Sequence, residues 1–442
     1  MNFILTQSKK NLECHAGALL VGKYAENLPI LCRKNIASRK YRSDRISDKS
    51  ILQGAILTQA FGMTNFNDIE CINNDSICST LIGQQFSQET FRQRLNELSL
   101  NKETLDLIDL SIIETLKKAD LKQSYYGGKF YHTLDIDVTP FINPNNKKEG
   151  VSYTYKGEDG YAPIMAYIDT YAVAVELRPG SQHSEDGAED FLKRCLYIIR
   201  QCNIDLGSVL LRVDSAHDAS NFINLCIEYG INFIIKRNFR SSKTSIESEK
   251  ISFAKNNITP EIEDLESNIK HFYFINRDDK PAKLNAELPN ANKIYGVYEV
   301  REITLDEEEL PLFSTRALGQ PQKFTKCEVD GYWANINVNG KNNLGVENLI
   351  AKTCINAYHE HATSEQFHSE LKSDINMELL PSGKFSTNDL YLRLSLITFN
   401  LLRLIGDKAL TFDTSFQHHK HDFTLRMRLR TVIEKLCLIP CQ

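Results

Sequence analysis

Three carboxylates far apart in the chain, Asp137, Asp214 and Glu365, stand in surroundings that suggest one chemistry. Asp137 lies near the end of the alternating run His132-Thr-Leu-Asp-Ile-Asp-Val-Thr, and Asp214 closes Ser208-Val-Leu-Leu-Arg-Val-Asp, so each falls at an expected strand end. Glu365 lies in the segment YHEHATSEQFHSELK, where Tyr358, His361, Glu365 and Lys372 follow at offsets of 3, 4 and 7 residues. At about 100° per residue they share a helix face within an arc of roughly 60°. A carboxylate flanked by a phenol, an imidazole and an ammonium suits a phosphate backbone better than an apolar core. Glu365 then reads as a metal ligand, with Tyr358 and Lys372 on phosphate. Hard divalent cations want oxygen donors, and Mg²⁺ keeps several waters, so a few carboxylates can hold two ions. Such ions, about 3.5–4 Å apart, serve in-line phosphoryl displacement, and no protein nucleophile is needed. Asp135 is two residues before Asp137 on the same strand face and is the alternative first ligand.

The elements that must position these groups follow from the pattern of apolar residues. From about 50 to 120 the periodicity is helical, as in Leu105, Ile108, Ile112 and Leu116. Ser87 is an expected N-cap for a helix that aligns Phe91, Leu95 and Leu98 and turns Arg92 and Arg94 outward, where they are candidate DNA contacts. After residue 125 come three strands in succession, ending in Tyr171-Ala-Val-Ala-Val-Glu-Leu. A helix from Ala188 to Cys202, the strand closed by Asp214, a helix from about Asp218 to Tyr229 and the strand Asn232-Phe-Ile-Ile-Lys follow. The order βββαβαβ is that of an α/β ribonuclease H-like core, a mixed sheet with flanking helices. In such a sheet the ends carrying Asp137 and Asp214 are neighbours. Residues 241–345 read as a β-rich insertion with a turn at Asn339-Gly, and helical periodicity runs from Val346 to about Leu404, broken at Pro381-Ser-Gly. The organisation expected is a helical N-terminal DNA-binding region (1–125), the first part of the core (126–240), the insertion (241–345), the second part of the core with the Glu-bearing helix (346–410), and a basic C-terminal helix and tail (411–442).

Bulk properties narrow the class. The net charge is −5, yet residues 1–50 carry ten Lys/Arg against four Asp/Glu, and residues 241–320 carry ten against fifteen, so a basic arm and an acidic insert are separated. Eleven scattered cysteines without a CxxC pair argue against a disulfide framework or a structural zinc site. No apolar run approaches the roughly 18–20 residues of a membrane span, and MNFILTQSKK lacks the apolar stretch of a secretory signal, so the expected location is cytoplasmic, beside the nucleoid.

With these residues in view, the chain resembles the DDE transposases of bacterial insertion sequences, the group-one transposase DDE domain. The likeness is carried by Leu134-Asp-Ile-Asp-Val-Thr, Gly160-Tyr-Ala-Pro-Ile-Met-Ala-Tyr, Glu176-Leu-Arg-Pro-Gly-Ser-Gln-His-Ser, Leu211-Arg-Val-Asp-Ser, the Tyr358–Lys372 segment and the late basic stretch Thr424-Leu-Arg-Met-Arg-Leu-Arg. The resemblance implies that Asp137, Asp214 and Glu365 are catalytic and hold two Mg²⁺ ions, for which Mn²⁺ could substitute. It favours Asp137 over Asp135 because Val-Thr follows it. It implies an endonuclease and strand transferase that cuts the terminal inverted repeats of its element and joins the 3′-OH to target DNA, working as a homodimer on double-stranded DNA. Tyr358, His361 and Lys372 would contact DNA. Trp333 is either a holder of a flipped base or packing for the insertion, and His183 contacts DNA or stabilises its turn. The family places Arg where this chain has His361, which lacks the bidentate guanidinium fork. The chain ends at Leu438-Ile-Pro-Cys-Gln, shorter than the family leads one to expect. These two departures support the rival reading of a weakened, transposase-derived DNA-binding protein; a nuclease that does not join strands is the other. His418, His419 and His421 have metal-compatible spacing on the tail, where an incidental cluster is the commoner meaning.

Overall fold

The computed structural model describes residues 15–36, 46–262, 269–305, 324–336, 344–412 and 426–440. The principal helices are α1 (Asp48–Ala60), α2 (Gln88–Ser99), α3 (Lys102–Lys118), α4 (Ala188–Gln201), α5 (Ser220–Glu228), α6 (Lys243–Asn257), α7 (Leu344–His359), α8 (Thr363–Ser369) and α9 (Phe385–Phe412). The principal strands are β1 (Lys129–Val138), β2 (Ile164–Ile168), β3 (Tyr171–Glu176), β4 (Val209–Val213), β5 (Asn232–Lys236), β6 (Ile269–Asn276), β7 (Tyr295–Leu305) and β8 (Phe324–Ala334).

The first five strands form the expected core in the order β3-β2-β1-β4-β5. β1, β2 and β3 are antiparallel neighbours, whereas β1–β4 and β4–β5 run parallel, with α4 leading from β3 to β4 and α5 from β4 to β5. The near-continuous apolar runs of β2, β3 and β4 suit strands covered on both faces. On one face Leu210, Ile234 and Tyr332 pack against Ile350, Ala351, Cys354 and Ile355 of α7. On β4 the neighbours Leu211 and Val213 face the other way, into the cluster that holds α4 and α5. Arg212 lies between them in the alternation and therefore turns to the α7 side.

The insertion continues this sheet. It opens with α6, a helix that the strand-prone composition did not announce, and its strands extend the sheet in the order β5-β8-β7-β6. The splice is short: Tyr332, Trp333 and Ala334 pair with Lys236, Ile235 and Ile234.

The helices before residue 125 share one apolar cluster with α9 and with β2 and β3. Residues from Leu390 to Gly406 of α9 are buried except for Arg393, as befits a central helix apolar nearly all round. Polar clamps fix its neighbours: Asn400 bonds both backbone groups of Ala172 on β3 and the Thr115 hydroxyl of α3, at 2.9–3.0 Å. Gln59 of α1 donates to the Tyr391 carbonyl at 2.9 Å.

Three expectations are corrected. Arg94 does not turn outward; it is 8% exposed and pairs with the buried Asp48 and with Glu97, because its position on α2 faces α1. Only Arg92 is on the solvent side, paired with Glu89 within the helix. The segment from Tyr358 to Lys372 is not one helix: α7 gives way to a 3-10 turn at Glu360–Ala362, and α8 ends in a π-helical turn at Glu370–Asp374. The late basic stretch is not helical over its first described residues, Arg426 to Arg428; Thr424 and Leu425 lie outside the described residues. A short helix begins only at Leu429, and Arg426 pairs with Glu370 while Arg428 and Arg430 pair with Asp374. Met1–Cys14 of the basic arm, the Asn339-Gly turn and His418, His419 and His421 lie outside the described residues. Among the described residues no helix is long and apolar enough to cross a membrane.

Candidate active site

Strand register brings the two aspartates together. On the parallel pair β1–β4, Leu134 is opposite Leu211 and Asp135 opposite Arg212, where the pairing ends; Asp137 and Asp214 follow just beyond it on the same two strands, near enough for the charge of Asp214 to act on Asp137. The Asp137 side chain is 31% exposed and that of Asp214 45%, so both face an opening at this edge of the sheet. Burial, and then the negative charge of Asp214, hold the Asp137 carboxyl above the ordinary carboxylate range. Burial would also raise Asp214, but His217 and the Ala216 amide outweigh it and the net shift is downward. Asp214 accepts that amide at 3.1 Å, capping the turn Ser215–His217, and meets His217 Nδ1 at 3.0 Å.

Asp135 is placed quite differently. It is 1% exposed and takes two bonds of 2.7 Å from the Arg212 guanidinium, with His361 Nδ1 2.9 Å from the same carboxylate. Its burial would raise its pKa, but the charge of Arg212 and the His361 bond bring it below the usual range. Burial presses His361 downward, yet the Asp135 bond and charge lift it above 6.5 overall. Arg212 also donates to the carbonyl of Ala357 at 2.8 Å. One buried guanidinium thus ties β1 and β4 to the end of α7, just before the segment bearing Glu365.

The remaining residues singled out in the sequence divide. Tyr358 lies against Tyr332, ring centres 4.8 Å apart; burial, then the charges of Asp214 and Asp137, push its phenol up. Glu365 is exposed on α8, one turn after His361 and three residues before His368, whose Nε2 is 3.7 Å from an Asp137 oxygen. Glu365 and His368 are one turn apart on α8, whereas His361 belongs to the 3-10 turn before it. The ligand oxygens of Asp137, Asp214 and Glu365 are not all within 4.8 Å of one another; among the described residues that spacing is met by His15, Asp75 and Cys78. That group is on the N-terminal helices, where Asp75 caps a helix through the amides of Ile77 and Cys78 and holds His15 at 2.9 Å. Lys372 does not extend toward the opening; it donates to the Pro140 carbonyl at 3.0 Å and pairs with Glu378. Trp333 is 4% exposed, donates to Asp218 at 2.9 Å and lies 3.9 Å beneath the Arg237 guanidinium, so the sheet splice occupies its ring. His183 accepts the Glu185 amide at 3.3 Å within its turn.

Sequence reasoning missed Arg212, His217, His368 and Tyr155. Arg212 and His368 stood inside quoted motifs, and Arg212 was detectable as a charge at a strand position otherwise apolar. Tyr155 gave no such signal. It is 66% exposed, bonds the carbonyl of Val138 at 3.3 Å, and is raised to about 12 by loss of water around the phenol and then by the charges of Asp137 and Asp214. Two motif glycines have a plain cause: at Gly160 and Gly180 a Cβ would collide with the carbonyls of Phe141 and Ser152 in the small sheet beside β1.

Fold and site together define a ribonuclease H-like core with paired carboxylates at the ends of its first and fourth strands. The family model of the transposase DDE domain, group 1, matches residues 5–265, more than half of the chain and both strand-end aspartates. The chain belongs to this family of DDE transposases, and the family implies use of a divalent metal. No curated protein matches it. Among solved structures it is similar to a chain in the cryo-EM structure of the piggyBac transposase synaptic complex with hairpin DNA, at 10% identity, over 97% of this chain and 88% of that one, with a TM-score of 0.42. Superposition at that level does not bear on the geometry of the site.

Proposed function

We propose that this transposase cleaves DNA at the terminal inverted repeats of its own insertion sequence and joins the freed 3′-OH to target DNA. The observation that carries the reading is the neighbouring strand-end pair Asp137 and Asp214, partly open to solvent and without a cation from Lys or Arg on either carboxylate among the described residues. Two carboxylates whose charges oppose each other are an oxygen-donor set suited to Mg²⁺ or Mn²⁺. Asp137 and Asp214 would hold the metal with Glu365 as third ligand, whereas Asp135 is committed to Arg212. When bound, the metal pair supplies activation of the attacking oxygen and stabilisation of the leaving one. The protein's own part would be to supply oxygen donors, two from the ends of β1 and β4 and a third from α8. His217 keeps Asp214 oriented and ionised. Tyr358 and the exposed Tyr155 flank the opening and would meet the DNA strand. The partner is double-stranded DNA, engaged at two ends by a homodimer; the cytoplasm beside the nucleoid is the corresponding location. His361 is turned inward to Asp135, so its share in phosphate contact passes to these tyrosines.

The test is cleavage of DNA carrying the element ends in Mg²⁺, followed by strand transfer from a pre-cleaved end. Asp137→Ala, Asp214→Ala and Glu365→Ala should each abolish cutting and spare binding. Wild-type protein that binds its ends tightly but makes no cut would overturn the proposal; cutting without joined products would reduce it to a nuclease.

A further inference from the structure

His368 is 4% exposed, and neither ring nitrogen has a hydrogen-bond partner. A buried polar group without a partner is costly and needs a cause. Its ring stands edge-on to Tyr167, centroids 5.3 Å apart at 89°, and this contact, with α8 behind it, fixes where the imidazole points. Nε2 points at Asp137, 3.7 Å from Oδ2, just beyond hydrogen-bond length. The other oxygen of Asp137 accepts the Val138 amide at 2.7 Å, so Oδ2 is the one turned to the histidine. His368 also stands three residues after Glu365, so one short helix carries the proposed third ligand and this imidazole.

We propose that His368 is a positioning residue for Asp137: its Nε2–H donates to Oδ2 and fixes the carboxylate when a divalent cation is bound. The inference rests on the reading of Asp137 as a metal ligand. Ligating carboxylates are themselves held by hydrogen bonds, and removing such a support typically lowers metal affinity or activity about 10–100-fold. An aromatic ring of similar shape could fill the space beside Tyr167 equally well, so the donor, and not the volume, is what the proposal assigns.

The experiment uses the full chain with three variants, His368→Phe, His368→Gln and Asp137→Asn. Two readouts are taken: the rise in melting temperature on titration with Mn²⁺ alone, and cleavage of end DNA across a range of Mg²⁺ concentrations. His368→Phe should fold, bind DNA like wild type and need about 10-fold or more Mn²⁺ for the same thermal shift. His368→Gln, which keeps an N–H near the Nε2 position, should recover most of that loss. If folded His368→Phe responds to Mn²⁺ and Mg²⁺ like wild type, or if His368→Gln is as impaired as His368→Phe, the proposal is overturned. If wild type shows a Mn²⁺ shift that Asp137→Asn retains in full, the ligand assignment beneath it has failed instead.

Discussion

Asp135→Asn and Asp137→Asn change the same atoms two residues apart on one strand face, yet the structure separates their effects. Asp135 is 1% exposed and receives both arms of a guanidinium that is itself nearly buried. Taking its charge away leaves Arg212 without an anion in a dry setting and loosens His361 as well. Breaking a buried pair from one side costs about 3–5 kcal/mol. Asp137 has a side chain 31% exposed, accepts only its neighbour's amide, and faces a like charge on Asp214. Removing its charge relieves that repulsion, and the effect on stability at such exposure is about 0–1 kcal/mol, in the stabilising direction. Urea unfolding should therefore place Asp135→Asn about 3–6 kcal/mol below Asp137→Asn in the absence of metal. Cleavage should be lost in Asp137→Asn although the protein is as stable as wild type, together with the stabilisation that Mg²⁺ gives the native state. If Asp135→Asn kept wild-type stability and lost the Mg²⁺ effect, while Asp137→Asn still cut DNA, the roles given to the two aspartates would be reversed.

Two further outcomes follow from the same geometry. His361 has a folded pKa raised above 6.5 by Asp135, so the pair's contribution to stability is complete below pH about 6.5 and is lost as pH rises through the raised value. The gap in unfolding free energy between wild type and His361→Gln should accordingly be wider at pH 6 than at pH 9, and an equal gap at both would refute the buried pair. Trp333→Phe loses the bond to Asp218 and indole area beneath Arg237, a cost of about 1–2 kcal/mol in denaturant unfolding. Cutting by the folded variant should be unchanged; lost cutting at intact stability would restore the flipped-base role.

Much of this was legible because period and order survive in a sequence. The core strands follow from apolar runs and their alternation, and βββαβαβ restricts the sheet to few arrangements, so the adjacency of Asp137 and Asp214 could be expected before any coordinates. The failures are of another kind. Arg94 stands on a helix whose burial extends farther round than the stripe of Phe91, Leu95 and Leu98, and the buried anion that offsets its burial, Asp48, comes from α1. The break at Glu360–Ala362 has no proline or glycine to announce it. It lies where Arg212 binds the Ala357 carbonyl and His361 reaches down to Asp135, contacts between residues 145 and 226 positions apart that no local pattern encodes.

The same cluster offers a physical reason for histidine at position 361. Asp135 already carries a bidentate arginine, so its negative charge is matched once. A second guanidinium there would be a permanent charge beside Arg212, which arginine cannot shed at any working pH. Imidazole can, and it supplies a single donor of the right length to the one carboxylate oxygen it shares with Arg212 Nε. On this argument His361 would be matched to Arg212 through the carboxylate that they share. An exchange of partners then tests it: His361→Arg should destabilise the chain when Arg212 is present and be tolerated better with Arg212→Met, an interaction that a double-mutant cycle measures directly.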